Sequence, residues 1–272
     1  MAEGRAAGPR GGVDRTALLA DLRAESEQLD EVVAGVADWR TATPAPGWTI
    51  AHQIAHLAWT DRKAHLALTD AEAFQADVER ALADADRFVD RGAEDGAAQD
   101  PAQLLQQWRD GREALAAALA EAPEGARIPW YGPPMGVAST ITARLMETWA
   151  HGQDVLDALG RRRGSTDRLR HIARLGVRTR DFAYSAHGLA PPEEPFHVEL
   201  TGPAGEIWNF GPKHAQDRVA GSALDFCLVV TQRRHPDDTD LVVSGAGARQ
   251  WIGIAQAFAG PPGAGRKAGE FG

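Results

Sequence analysis

The sequence predicts an α+β protein, with a helical bundle over residues 14–190 and a small α/β unit over 195–260. Three observations carry this. Up to about residue 190, apolar residues recur at three- and four-residue spacing between breaks at Pro44, Pro46, Gly47, Gly92 and Pro101. At Pro191-Pro192-Glu193-Glu194-Pro195 the pattern changes, and Phe196 to Leu200 then alternates as a strand does. An apolar fraction of 43% and a charged fraction of 25% over 272 residues suit a globular chain of one large or two modest domains.

Leu18, Leu19, Leu22, Leu29, Val32, Val33 and Val36 define a first helix over 14–37. Thr49 is placed to cap a second, which reaches about Thr69. A third spans 70–89 and is ended by Gly92. Pro101 opens a fourth over 101–121, because the N–H that proline lacks has no helical partner at that position anyway. After an irregular stretch, Pro129 to Gly136, Ser139 or Thr140 caps a helix that reaches Leu159. Gly160 to Gly164 is a basic turn, and Ser165 or Thr166 starts one more helix to about His187. In the second unit Pro203-Ala204-Gly205 turns between strands at 196–200 and 206–210. Residues 217–234 mix strand and helix signals, 241–244 read as a strand and 248–259 as a helix. Residues 1–13 have no apolar stretch and read as a disordered leader instead of a signal peptide; 261–272, rich in Gly and Pro, read as a flexible tail.

A net charge of -9 argues against a nucleic-acid partner, and no apolar run approaches the ~20 residues of a membrane span. Cys227 is the single cysteine, so no intrachain disulfide forms, which fits a cytoplasmic chain; either a monomer or a homodimer is compatible with the sequence. It lies in the apolar run Leu224 to Val230 and reads as a packed hydrophobe instead of a nucleophile.

Function is most legible in Arg144-Leu145-Met146-Glu147-Thr148-Trp149-Ala150-His151-Gly152-Gln153-Asp154. On a helix Glu147 and His151 share one face, one turn apart, and Arg144 and Asp154 extend that stripe. The second helix carries His52 and His56 at the same spacing. Such pairs on facing helices build metal sites inside bundles, although surface polar residues use the same spacing. Imidazole and carboxylate suit Zn²⁺, and also Ni²⁺, Fe²⁺ and Mn²⁺. Three protein ligands with an open position mark a catalytic ion rather than a structural one.

The run Gly47-Trp48-Thr49-Ile50 through Ile54-Ala55-His56-Leu57, followed by Glu147-x-x-x-His151-Gly152-x-Asp154, resembles the mycothiol-dependent maleylpyruvate isomerase family of DinB-like four-helix bundles. Val219 to Phe226 and Gly245 to Trp251 resemble a sterol-carrier-like C-terminal domain. The likeness is nearest to an actinobacterial branch. It implies His56, Glu147 and His151 as ligands of a divalent metal and leaves His52 outside the triad. Asp154 then either accepts a hydrogen bond from the second nitrogen of a ligand histidine or pairs with an arginine. Arg144 binds a substrate carboxylate or pairs with an acid, and Trp130 and Tyr131 wall the cofactor pocket or form a buried connection. The resemblance implies an enzyme that uses a low-molecular-weight thiol, mycothiol, against an electrophilic small molecule, as isomerase or S-transferase. A thiol-independent metal hydrolase or lyase is the alternative, and a non-catalytic ligand-binding protein is a third.

Overall fold

The structure, a computed structural model, describes residues 14–85 and 87–271; the expected leader lies outside them. Asp14 opens the chain's first helix, α1 (Arg15–Ala34), where its carboxylate accepts the backbone N–H groups of Thr16 and Ala17. A helix start leaves those donors without partners. Helix α2 (Ile50–Thr69) follows Thr49, as expected. His52 sits three residues on and takes the part that Glu or Gln plays in a capping box. Its Nδ1 accepts the Thr49 backbone N–H at 3.2 Å.

The single helix expected over 70–89 is in fact two, α3 (Ala71–Ala83) and α4 (Phe88–Ala97). Gly92, expected as a breaker, lies inside α4. A Cβ there would meet the Trp59 ring at 2.7 Å, and one at Gly96 would meet the Ala55 Cβ at 2.6 Å. The two glycines let α4 lie on the backbone of α2, and that packing outweighs their low helix propensity.

Asp100 and Pro101 start α5 (Pro101–Glu121). A short hairpin, β1 (Arg127–Ile128) and β2 (Met135–Gly136), encloses the proline-rich loop. It feeds directly into α6 (Val137–Ala158), so Gly136 caps that helix in place of Ser139 or Thr140. The last helix of the bundle region is also divided, into α7 (Leu169–Arg178) and α8 (Arg180–Ala186), with Thr179 at the joint. Arg168, not Ser165 or Thr166, precedes α7. Helices α1, α5, α2 and α6 pack as a closed ring of four, and α3 and α4 flank α2.

The C-terminal unit contains β3 (Phe196–Thr201), β4 (Ile207–Phe210), β5 (Asp217–Ser222), α9 (Ala223–Val230), β6 (Val242–Ser244) and α10 (Ala246–Ile254). The sheet order is β4-β3-β5-β6, with β3 and β5 parallel and both edge pairings antiparallel. The mixed signals of 217–234 resolve into a strand and then a helix, whose break is capped by Ser222.

One apolar core runs from Leu18, Ile141 and Trp149 of the bundle through Ile172 of α7 to Phe226 and Trp251. Gly176 of α7 lies so close to α9 that a Cβ would meet Val230 at 2.7 Å. The expected flexible tail is also placed differently. Arg266 pairs with the fully buried Asp154 at 2.5 Å, and the Arg234 guanidinium lies 4.2 Å from the Phe271 ring centroid. A buried carboxylate with room for a second guanidinium is reason enough for a Gly/Pro-rich segment to dock. Among the described residues no helix is long and apolar enough to cross a membrane.

Candidate metal centre

Glu147 and His151 lie one turn apart on α6, on the side that packs against α2, and His56 comes from the middle of α2. His56 Nε2 stands 3.5 Å from Glu147 Oε2, and His151 Nε2 stands 3.2 Å from the same oxygen. All three donor atoms lie within 4.8 Å of one another. Donors held about 2.1 Å from a four-coordinate ion stand about 3.4 Å apart, so the spacing suits a divalent cation.

The charge state suits it as well. Burial pushes the Glu147 carboxyl up, but the imidazoles of His151 and His56 that face it outweigh this and hold it well below the usual carboxylate range. Burial, joined by the His56 charge and opposed by Glu147, brings His151 down to about 4. One carboxylate and two imidazoles, His151 neutral at pH 7, make a set of nitrogen and oxygen ligands.

The orientation of His151 comes from a residue the sequence did not single out. Its Nδ1 lies 2.6 Å from Gln53 Oε1. Nδ1–H donates to the amide oxygen and leaves Nε2 as the free lone pair, the arrangement that fixes the tautomer of ligating histidines. Gln53 is fully buried, and its Nε2 donates to Thr43 Oγ1 at 2.9 Å. The Thr43 hydroxyl in turn donates to the Trp48 carbonyl. Trp48 is a wall of the site, its ring centroid 5.3 Å from His56 and 5.9 Å from His151. Trp59 flanks His56 on another side at 6.3 Å. The clue to Gln53 was its position three residues before His56, on the same face of α2.

Of the two roles expected for Asp154, the structure has the arginine pairing and not the hydrogen bond to a ligand histidine. Asp154 is fully buried one turn further along and accepts from Arg233 at 2.8 Å as well as from Arg266. Arg144 is not open to a substrate carboxylate: its Nε donates to Asp61 at 2.9 Å and its Nη2 to Thr60 at 2.7 Å, inside the bundle. Both are explained by burial, since a guanidinium or carboxylate removed from water needs a partner of opposite charge. His52 is occupied by the α2 cap and does not join the cluster.

Trp130 and Tyr131 part company. Trp130 lines a cavity of about 470 Å³ that reaches Glu147. Tyr131 turns away, donates its hydroxyl to Asp77 and packs on Trp59, Phe74 and Phe88. The same cavity draws Met135 from the hairpin, Met146 from α6, Arg174 and Arg178 from α7, and Phe258 from the C-terminal unit. The last three were not legible, because they reach the cavity only through the packing of α7 and of the segment after α10.

Comparison with known proteins follows the same division. Residues 22–156 match the family described as mycothiol maleylpyruvate isomerase N-terminal domain. Residues 192–244 match a second family, described as wyosine base formation, a likeness the sequence reading did not include. Two uncharacterized proteins of Mycobacterium tuberculosis, from strains CDC 1551 and H37Rv, are each 55% identical over 251 residues, covering 92% of this chain and 98% of theirs. The crystal structure of the mycothiol-dependent maleylpyruvate isomerase superposes with a TM-score of 0.59 at 18% identity, over 82% of this chain and 90% of that one. A histidine-to-alanine variant of that enzyme gives 0.60 at 19%, over 84% and 93%. At that identity the likeness establishes the fold: a DinB-like helical domain followed by a smaller sheet domain.

Proposed function

The chain belongs to the mycothiol maleylpyruvate isomerase family through residues 22–156, and from that premise we propose a metal-dependent enzyme that uses a low-molecular-weight thiol against an electrophilic small molecule. The observation that carries this reading is the convergence of His56, Glu147 and His151 within 4.8 Å, with Glu147 at the wall of a cavity. A divalent cation held there, Zn²⁺ by its preference for these donors, supplies a Lewis-acid position that favours the anionic form of a bound thiol. Glu147 offsets part of that cation's charge, Gln53 keeps the His151 lone pair pointed inward, and Trp48 and Trp59 keep water from the imidazoles.

The thiol comes from outside the chain. Cys227 is fully buried in α9, its Sγ donates to the Leu169 carbonyl at 3.5 Å, and burial pushes the thiol up, far from its nucleophilic form. The family makes mycothiol the natural candidate. Addition forms a carbon–sulfur bond and moves the π electrons of the electrophile to its activating carbonyl. Expulsion of the same sulfur after bond rotation gives an isomer, whereas protonation of the carbanion gives a thioether.

The test combines elemental analysis with mass spectrometry of turnover. The purified chain binds one equivalent of Zn²⁺, Ni²⁺, Fe²⁺ or Mn²⁺, and His151→Ala loses most of it while keeping the helical circular dichroism. A product heavier by one thiol identifies a transferase. A product of unchanged mass that forms only with thiol present identifies an isomerase. Full activity without thiol overturns the thiol reading in favour of a metal hydrolase or lyase.

A further inference from the structure

We propose that the cavity beside Glu147 takes an organic acid with an apolar body, its carboxylate held by Arg174 and Arg178 of α7. This rests on the preceding reading only in naming that acid as the electrophile; the binding itself does not depend on the metal.

The walls set the body of the ligand. Trp130, Met135, Met146, Leu175, Phe182 and Phe258 line the cavity, and its surface is mostly apolar. Phe182 presents a partly exposed ring at this wall. A polar cellular thiol gains little from such walls, so the electrophile is the better occupant.

Charge sets the other end. His171, Arg174 and Arg178 are three and four residues apart on α7, and all three line the cavity. His171 is occupied by Asp21 at 2.7 Å. Arg144, also on the wall, is occupied by Asp61. Arg174 and Arg178 alone among these have no ion pair or side-chain hydrogen bond with the described residues. Two unpaired guanidinium groups on one face of a helix, in a chain of net charge -9, form a local anion site. Their planar donors match a carboxylate.

Isothermal titration calorimetry of the full chain with decanoate, octanoate and decanol tests this. Decanoate binds one to one, and octanoate binds about tenfold more weakly, because each methylene placed on apolar walls contributes about three- to fourfold. Arg174→Gln/Arg178→Gln weakens decanoate by about tenfold and leaves decanol unchanged. Both positions are exposed, so folding is not at stake. Phe182→Glu, at the same exposed mouth, weakens decanoate more than decanol. His151→Ala, which removes a metal ligand outside the cavity wall, leaves decanoate binding intact. Absence of saturable binding, equal affinity for decanoate in the double variant, or loss of decanoate in His151→Ala each overturns the proposal. A wild-type chain that holds no metal and still binds decanoate through the arginines would instead sink the metal reading and leave this one standing.

Discussion

Four charged or ionisable side chains run along α6 on one stripe, and the inner two differ from the outer two. Arg144 and Asp154 are sealed: each is buried and meets an opposite charge at 2.9 Å or less. Among ionisable groups, Glu147 and His151 form ion-pair contacts only with each other and His56, and a cavity opens beside Glu147. The sealed groups hold elements together, α6 to α2 through Asp61 and α6 to the C-terminal unit through Arg233. In this helix, then, the candidate site sits where ionisable groups converge without being sealed by a full ion pair, and spacing by itself does not distinguish the two cases.

The contrast can be broken by substitution. Asp154→Ala leaves Arg233 and Arg266 buried without a carboxylate and lowers stability by about 3–5 kcal/mol in urea unfolding, with bound metal per folded chain unchanged. Glu147→Gln keeps the shape of an open residue and removes its charge. Turnover falls on the order of a hundredfold or more while stability stays within about 1 kcal/mol, read from steady-state rates beside the same unfolding curves. Equal stability losses for the two variants would erase the distinction. Gln53→Met sharpens it: the imidazole loses its orienting acceptor, and metal affinity by competition with a chelator falls about 10- to 100-fold. His52→Ala has the smallest effect. It removes the α2 capping acceptor, lowers the melting temperature by an amount equivalent to about 0.5–1 kcal/mol, and leaves metal content as it was.

What the sequence discloses follows from the range of each interaction. The capping position of Thr49, the proline start at Pro101 and the i,i+4 pairing of Glu147 with His151 are local, and each is found where expected. His56 joins them across the bundle because the family resemblance supplied a pairing that periodicity cannot. Partners at long separation stayed hidden. Gln53 is 98 residues from His151, whereas Asp154 is a near neighbour on the same helix and was the candidate that spacing offered, beside its alternative of pairing with an arginine. Arg144 finds its acid 83 residues away. Gly92 misled for a related reason. A glycine that ends a helix and one that admits a neighbouring helix look alike until the neighbour, here Trp59, is in place.

The carboxylate of Asp154 also imposes an order of events on the folding chain. Its first guanidinium, Arg233, lies 79 residues downstream, and its second, Arg266, 112. As the polypeptide emerges, α6 can join the bundle long before either arrives, and in that interval the acid needs water or a proton. The helix carrying the candidate ligands is therefore closed over only when the following unit has folded onto it. Contacts of such separation are slow to form. A nascent bundle consequently passes through a stage in which His56, Glu147 and His151 can already face one another while the far end of α6 is still wet.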